Sequence, residues 1–291
     1  MGIIKDNLEN YLKFIGSIND YIKSDIVIVG APMDYTVSFK PGSRFGPQKI
    51  RELSWGLETY SPYLDRDLQD KKYFDYGDLE LPFGNVSKSL QIIGQATNEL
   101  LQDGKTPIFL GGEHLITLPI IREIVSFYQN DLIILHFDAH TDLRDEYMHE
   151  SNSHATVMKH ISKLVNPKNI YQFGIRSGLK EEFQWAKEHT NLFFGEIVKP
   201  LGSVLNKIKG KPIYITVDID VLDPAFAPGT GTPEAGGITS KELLRAIHML
   251  EDFDVIGMDL VEVLPMCDIG DITSIVACKI IRECILSFLY N

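Results

Sequence analysis

Two short segments of this 291-residue chain have the residue types and the spacing of a metal site. One reads Asp138-Ala139-His140-Thr141-Asp142, the other reads Asp218-Ile219-Asp220, and each directly follows an apolar run. Successive residues of a strand point to opposite faces, so ionisable side chains two positions apart share one face. Carboxylates in such surroundings are costly unless a cation neutralises them. Together the two segments imply more than one divalent ion.

The apolar runs before these segments predict the elements that hold them. Residues 132–135 and 213–217 are typical of fully buried strands. On an extended strand, residues 138 and 142 would lie about 13 Å apart, so the chain must turn just after His140 if Asp142 is to share an ion. We therefore predict the site at a junction between strand and loop.

Apolar periodicity predicts strands that alternate with helices. The strands are expected near 26–30, 72–76, 106–110, 131–137, 169–174, 191–195, 212–218 and 253–261, and the helices near 87–103, 115–129, 155–164, 180–188, 200–209, 239–252 and 270–289. Thr239 and Glu242 form a capping box that marks one helix start. This alternation indicates an α/β fold with a mostly parallel sheet, and one domain over residues 1–291 suits the length.

The composition of the chain limits the kinds of binding partner and the cellular compartment that we expect. The chain has 28 basic and 40 acidic residues, a formal net charge of −12, and 44% apolar residues. This charge disfavours nucleic acid and mildly favours a cationic partner, although plain solubility is the better explanation of it. Three cysteines without a C-x-x-C pair fit a reduced cytosol. Charged residues interrupt positions 1–25 and no apolar run could span a bilayer, so we expect a cytoplasmic protein with no membrane partner.

Polar residues follow four of the predicted strands. They are His114, the segment 138–142, the segment 218–220 and Glu262. The carboxyl ends of parallel strands are where open α/β sheets bind ligands. We therefore expect these four segments to converge on one edge of the sheet.

In these segments the chain resembles the ureohydrolase family, which comprises the arginases and agmatinases, and it is most similar to bacterial-type agmatinases. The resemblance rests on Gly111-Gly112-Glu113-His114, Asp138 to Asp142, Asp218 to Pro224 and Asp259-Leu260-Val261-Glu262, with supporting stretches at 41–47 and 227–234. It implies a three-layer α-β-α sandwich with about eight strands and two Mn²⁺ ions per subunit. It also implies a homo-oligomer, either a trimer or a hexamer.

The resemblance also implies how the ions are held. One ion would be bound by His114, Asp138, Asp142 and Asp218, and the other by Asp138, His140, Asp218 and Asp220. Imidazoles and carboxylates without a thiolate suit Mn²⁺, but ligand type alone leaves Fe²⁺, Co²⁺ and Ni²⁺ open. Two ions about 3.5–4 Å apart lower the pKa of a shared water, so hydroxide is the expected nucleophile.

Further roles follow from the same resemblance. Glu262 would pair with a planar guanidinium, as carboxylates do through two parallel hydrogen bonds. Asp142 would steady the hydroxide, and His154 would deliver a proton to the leaving amine. Asp259 is expected to support the ligands without binding an ion. The expected reaction hydrolyses a guanidino group to urea and an amine.

The loop at 143–154 bears on the choice of substrate. It lacks the Ser-Gly-Asn and Leu-His-Gly signature of arginases and carries Asp145, Glu146 and Glu150 instead. These acids would repel a carboxylate and attract a second cation, so we predict agmatine, with Asp145 and Glu146 binding its amine. Arg144 favours a guanidino acid, the substrate of an arginase or guanidinobutyrase. A non-catalytic metal-bound regulator and a phosphoesterase remain as alternatives, although Arg144 is the sole cation in these motifs that could hold phosphate.

Overall fold

A parallel eight-stranded sheet forms the centre of the fold, as predicted. The structure is a computed structural model that describes residues 13–128 and 131–288. The sheet strands are β1 (Ile26–Ala31), β4 (Tyr73–Asp78), β5 (Thr106–Gly111), β6 (Ile133–Phe137), β7 (Ile170–Ile175), β8 (Asn191–Phe194), β9 (Ile213–Asp218) and β10 (Val255–Val261), while β2 (Tyr60–Ser61) and β3 (Arg66–Asp67) form a separate hairpin. Their order in the sheet is β4-β1-β5-β10-β9-β6-β7-β8, and every pair is parallel.

Helices cover both faces of this sheet. Those of the described residues are α1 (Gly46–Ser54), α2 (Val86–Gln102), α3 (Thr117–Tyr128), α4 (Val157–Ile161), α5 (Lys180–His189), α6 (Val198–Ile208), α7 (Ser240–His248) and α8 (Ile272–Ser287). Alternate residues of a strand enter opposite cores: Leu135 belongs to the core that includes residues of α1, α6, α7 and α8, whereas Ile134 belongs to the core that includes residues of α2, α3, α4 and α5. This arrangement confirms the three-layer α-β-α sandwich. No helix in residues 13–128 and 131–288 is long and apolar enough to cross a membrane.

The structure corrects several predicted elements. Helix α1 was not predicted, because its inner face carries the polar Arg51, which is buried and paired with Asp75 at 2.8 Å. The hairpin of β2 and β3 was also missed, since two-residue strands show no periodicity. The helix expected at 155–164 is α only over Val157–Ile161. The ends of the helices expected at 115–129 and 270–289 lie outside the described residues.

Candidate metal centre

The four central strands of the sheet carry the predicted site. β5, β10, β9 and β6 are consecutive neighbours, and the segments predicted to bind metal leave their carboxyl ends. Gly112 lets the chain pass close to Met33, since a Cβ there would lie 1.9 Å from the Met33 carbonyl oxygen. Asp142 has a φ of 52°, so the chain turns after His140 as expected.

His114 is the centre of one ligand group. Its buried Nδ1 lies 3.1 Å from Asp138 Oδ2, 3.2 Å from Asp142 Oδ2 and 3.4 Å from Asp218 Oδ2, and it has no hydrogen-bond partner. Burial alone lowers the pKa of His114, but the carboxylates outweigh burial and hold that pKa well above its ordinary value. The three carboxylate oxygens around His114 Nδ1 therefore form a site that favours a cation.

A buried relay fixes the orientation of the His114 ring. The Thr216 hydroxyl donates to Asp259 Oδ1 at 2.6 Å, so its lone pair accepts from His114 Nε2 at 2.9 Å. Tyr214 donates to the other oxygen of Asp259 at 2.8 Å. In the neutral ring, Nδ1 therefore carries the lone pair that a metal requires. Asp259 occupies the supporting position expected of it.

His140 belongs to a second ligand group. Its Nδ1 lies 3.0 Å from Asp220 Oδ2 and 3.5 Å from Asp138 Oδ1. Burial lowers the pKa of His140, whereas Asp220 and Asp138 raise it, with a net rise to about 12. Ligand atoms of Asp138, His140 and Asp220 all lie within 4.8 Å of one another. Asp138 contributes to both groups, which is the geometry of a shared carboxylate.

These two groups fit a pair of divalent ions. The orphaned Nδ1 of His114 is aimed at three carboxylate oxygens, and nitrogen and carboxylate donors without thiolate are the ligands that Mn²⁺ accepts. The structure brings together all six predicted ligand residues. Their assignment to particular ions stays a prediction.

Glu262 lies beside the first group, at the end of β10. Its Oε1 accepts from the His114 backbone N–H at 2.9 Å, and its own N–H donates to the Gly112 carbonyl at 2.8 Å. The backbone of Glu262 has a φ of 64°, in the left-handed region that non-glycine residues seldom adopt, so the chain turns sharply where β10 ends. Burial, followed by the charge of Glu113, raises the pKa of Glu262 to about 8.

His154 lies across the same cleft. Its Nδ1 lies 2.9 Å from the Thr36 carbonyl, and because a carbonyl only accepts, Nδ1 must carry a proton and donate it. In the neutral ring, Nε2 therefore carries the lone pair that can take up a proton. Glu113 anchors this part of the chain, since its carboxylate accepts from the backbone N–H groups of Tyr35 and Thr36. Burial lowers the pKa of His154, so the ring is neutral near pH 7.

A cleft of about 270 Å³ joins these groups. Its described lining comprises Ser38, His114, His140, Thr141, Asp142, Arg144, Tyr147, His154, Ala155, Ser177, Gly178, Leu179, Glu182, Asp218, Thr232 and Glu262. Asp145 and Glu146 are exposed and do not line it, and the Asp145 carboxylate lies 3.8 Å from Lys159 Nζ. Their contact with substrate stays a prediction that this geometry does not support.

Two residues of the site were missed in the sequence. His136 lies 2.8 Å from Asp138, and Thr216 holds His114. Both precede a predicted ligand by two positions: Thr216 and Asp218 lie together on β9, whereas Asp138 directly follows the end of β6, which carries His136. The period of two that placed the ligands on one face could therefore have found both.

Comparison with known proteins agrees with this geometry. The sequence model of the arginase family matches residues 24–287. Agmatinases of Bacillus anthracis and Bacillus subtilis (strain 168) are 54% and 53% identical over 278 and 280 residues, and each alignment covers 94% of this chain and 96% of the relative. The crystal structure of agmatine ureohydrolase of Thermoplasma volcanium is 31% identical, with a TM-score of 0.88 over 98% of this chain and 96% of that one. The chain belongs to the arginase family.

Proposed function

We propose that this protein is an agmatinase, a hydrolase that cleaves agmatine to putrescine and urea at a two-manganese centre. One observation carries the proposal: the Glu262 carboxylate is hydrogen-bonded to the backbone of His114, within a cleft that also contains the ligand groups and His154. A group that pairs with guanidinium therefore lies directly beside the metal-binding side chains. The agmatinases at 53–54% identity support the same substrate.

Each side chain has a distinct task in this reaction. When bound, two divalent ions supply a water that is deprotonated near neutral pH, and they stabilise negative charge on oxygen. Glu262 pairs with the guanidinium, whose positive charge returns the raised pKa of this carboxyl toward its ordinary range. Asp142 accepts a hydrogen bond from the nucleophile. These contacts fix the guanidinium carbon within reach of attack.

His154 completes the reaction at the departing nitrogen. Because Nδ1 is held by Thr36, only Nε2 can exchange a proton with substrate. The neutral ring accepts a proton from solvent or substrate and passes it to the amine as the carbon–nitrogen bond breaks. Protonation makes the amine a good leaving group, and putrescine departs as a cation.

The described lining of the cleft offers little to bind a substrate carboxylate. Four described lining residues, Asp142, Glu182, Asp218 and Glu262, are acidic, and Arg144 is the one lysine or arginine among them. Arg144 is itself occupied: its guanidinium lies 4.4 Å from the Tyr147 ring centre, and its Nε lies 3.7 Å from Glu182. A substrate carboxylate would therefore have to compete with Tyr147 and Glu182 for Arg144.

Urea release from agmatine, arginine and 4-guanidinobutyrate, compared at equal concentrations with Mn²⁺-loaded protein, tests the proposal. We expect a preference for agmatine that chelation abolishes. A preference for either acid would keep the reaction and reject the substrate, and urea from none of them would reject the proposal.

The same proposal includes several further properties of the protein. They are Mn²⁺ as the metal, two ions per subunit, a trimeric or hexameric assembly, a single domain over 1–291 and a cytoplasmic location.

A further inference from the structure

His136 is a buried histidine beside the metal ligands to which the proposed function gives no role. It lies on β6, fully buried, and the period of the strand places it on the same face as Asp138. Its Nε2 lies 2.8 Å from Asp138 Oδ2, the oxygen that also lies 3.1 Å from His114 Nδ1. In this position His136 is either another metal ligand or a hydrogen-bond donor to the shared carboxylate.

Gln172 distinguishes between these two roles, because its amide determines which nitrogen of the His136 ring carries the proton. The two residues are direct partners in the register of β6 and β7. Gln172 Nε2 donates to the Thr141 carbonyl at 2.9 Å, and since a carbonyl only accepts, this contact sets the orientation of the amide. The same Nε2 lies 3.2 Å from His136 Nδ1.

An amide nitrogen has protons to give and no lone pair to offer, so His136 Nδ1 must accept. The ring proton is therefore on Nε2 and is directed at Asp138. Gln172 is fully buried, and its Oε1 lies 3.1 Å from the Thr190 hydroxyl, whose single proton is shared between this oxygen and the Ala186 carbonyl at 3.0 Å. The orientation of the amide is therefore set by the Thr141 carbonyl, to which its nitrogen must donate.

We infer that His136 is a positioning residue and not a metal ligand: its Nε2–H donates to Asp138 Oδ2 and orients this carboxylate toward the ions. The inference rests on the two-ion centre of the proposed function. The other oxygen of Asp138 accepts from the His140 backbone N–H, so protein donors hold both oxygens. Donors behind a ligating carboxylate typically contribute about 10- to 100-fold to metal affinity.

Paired substitutions of His136 test this role. His136→Leu removes the donor, whereas His136→Gln places an amide N–H near the position of Nε2. Mn²⁺ binding to metal-free protein is measured by equilibrium dialysis. We expect two ions per chain in all three proteins, about 10- to 100-fold weaker binding in His136→Leu and near wild-type binding in His136→Gln. Loss of one ion in both variants would show that His136 is a metal ligand. Unchanged Mn²⁺ affinity in His136→Leu would show that the hydrogen bond from His136 does not contribute to metal binding. Either result overturns the inference.

A second measurement needs no substitution at this buried position. Nitrogen-15 NMR of histidine-labelled, metal-free protein reports which ring nitrogen carries the proton. We expect a proton on Nε2 of His136 and none on Nδ1, and a proton on Nδ1 would overturn the inference even if the leucine variant failed to fold. Urea release by the wild-type protein tests the proposed function separately, because neither metal affinity nor the tautomer depends on the substrate.

Discussion

Replacing Glu262 by glutamine tests the guanidinium contact with little change in shape. The amide oxygen can still accept the His114 backbone N–H, which lies 2.9 Å from Oε1 in the wild-type protein. The amide nitrogen, however, carries N–H groups, and the guanidinium of the substrate has only N–H donors and no acceptor to pair with them. Glu262 is 4% exposed, so water cannot compensate for the mismatch. Truncating one partner of a buried charged pair costs about 2–5 kcal/mol.

That cost corresponds to a loss of about 30- to 5,000-fold in kcat/KM for agmatine. Steady-state urea release gives this ratio, and metal analysis of the same samples should find the ion content unchanged, because Glu262 contacts His114 through the backbone N–H and not through the imidazole. Glu188→Gln is the matched control, since Glu188 is an exposed acid of α5 away from the cleft. A Glu262→Gln enzyme within threefold of wild type would show that guanidinium is not bound by this carboxylate.

Three further substitutions test other parts of the account. Thr216→Val breaks the relay behind His114, and equilibrium dialysis should show Mn²⁺ affinity about 10- to 100-fold weaker, whereas equal affinity would make the relay irrelevant. His154→Gln should lower kcat about 100- to 10,000-fold with bound metal retained, and an unchanged kcat would place the proton donor elsewhere. Burial raises the pKa of Glu283, but His248 and Arg282 outweigh it and lower that pKa to about 2. This ion pair therefore stabilises the fold above about pH 4.3 and is lost as pH falls toward 2, so urea unfolding should show the gap between wild type and Glu283→Gln shrinking over that window. A constant gap would contradict the shifted pKa.

The sequence was sufficient to predict the sheet and the polar side chains that the structure brings together at its edge, for a physical reason. Fully buried parallel strands are continuous apolar runs, and charged residues that interrupt such runs at intervals of two must share a face. The segments at Asp138 and Asp218 begin where β6 and β9 end, so both the strands and the edge at which they end could be predicted. The strand period does not itself place the later residues of each segment, because Asp138 to Asp142 lie beyond β6 and residues 219–221 form a 3-10 helix. Thr216 obeys the same rule and was overlooked only because a hydroxyl does not stand out as an ionisable group does.

Loop geometry could not be predicted in the same way. Met148 and His149 adopt positive φ without being glycine, and Tyr147 and Glu150 exchange backbone hydrogen bonds of 2.9 Å across them. This tight turn brings Tyr147 into the lining of the cleft, while Asp145 and Glu146 remain exposed. No periodicity encodes such a turn, so the number of acids in the loop was a poor guide to where they point.

Long-range contacts are the other part that local patterns do not encode. His154 obtains its orientation from Thr36, 118 positions earlier in the chain. The resemblance to ureohydrolases predicted a role for His154, but it did not predict that Thr36 would fix the tautomer. That assignment depends on two distant segments meeting at the sheet edge.

The most direct test of the two-metal account is a titration of metal-free protein with Mn²⁺, in which bound metal and urea release from agmatine are followed in the same samples. We predict saturation at two ions per chain, with activity that rises as the second ion binds. Full activity at one ion per chain, or two bound ions without any urea, would contradict the account.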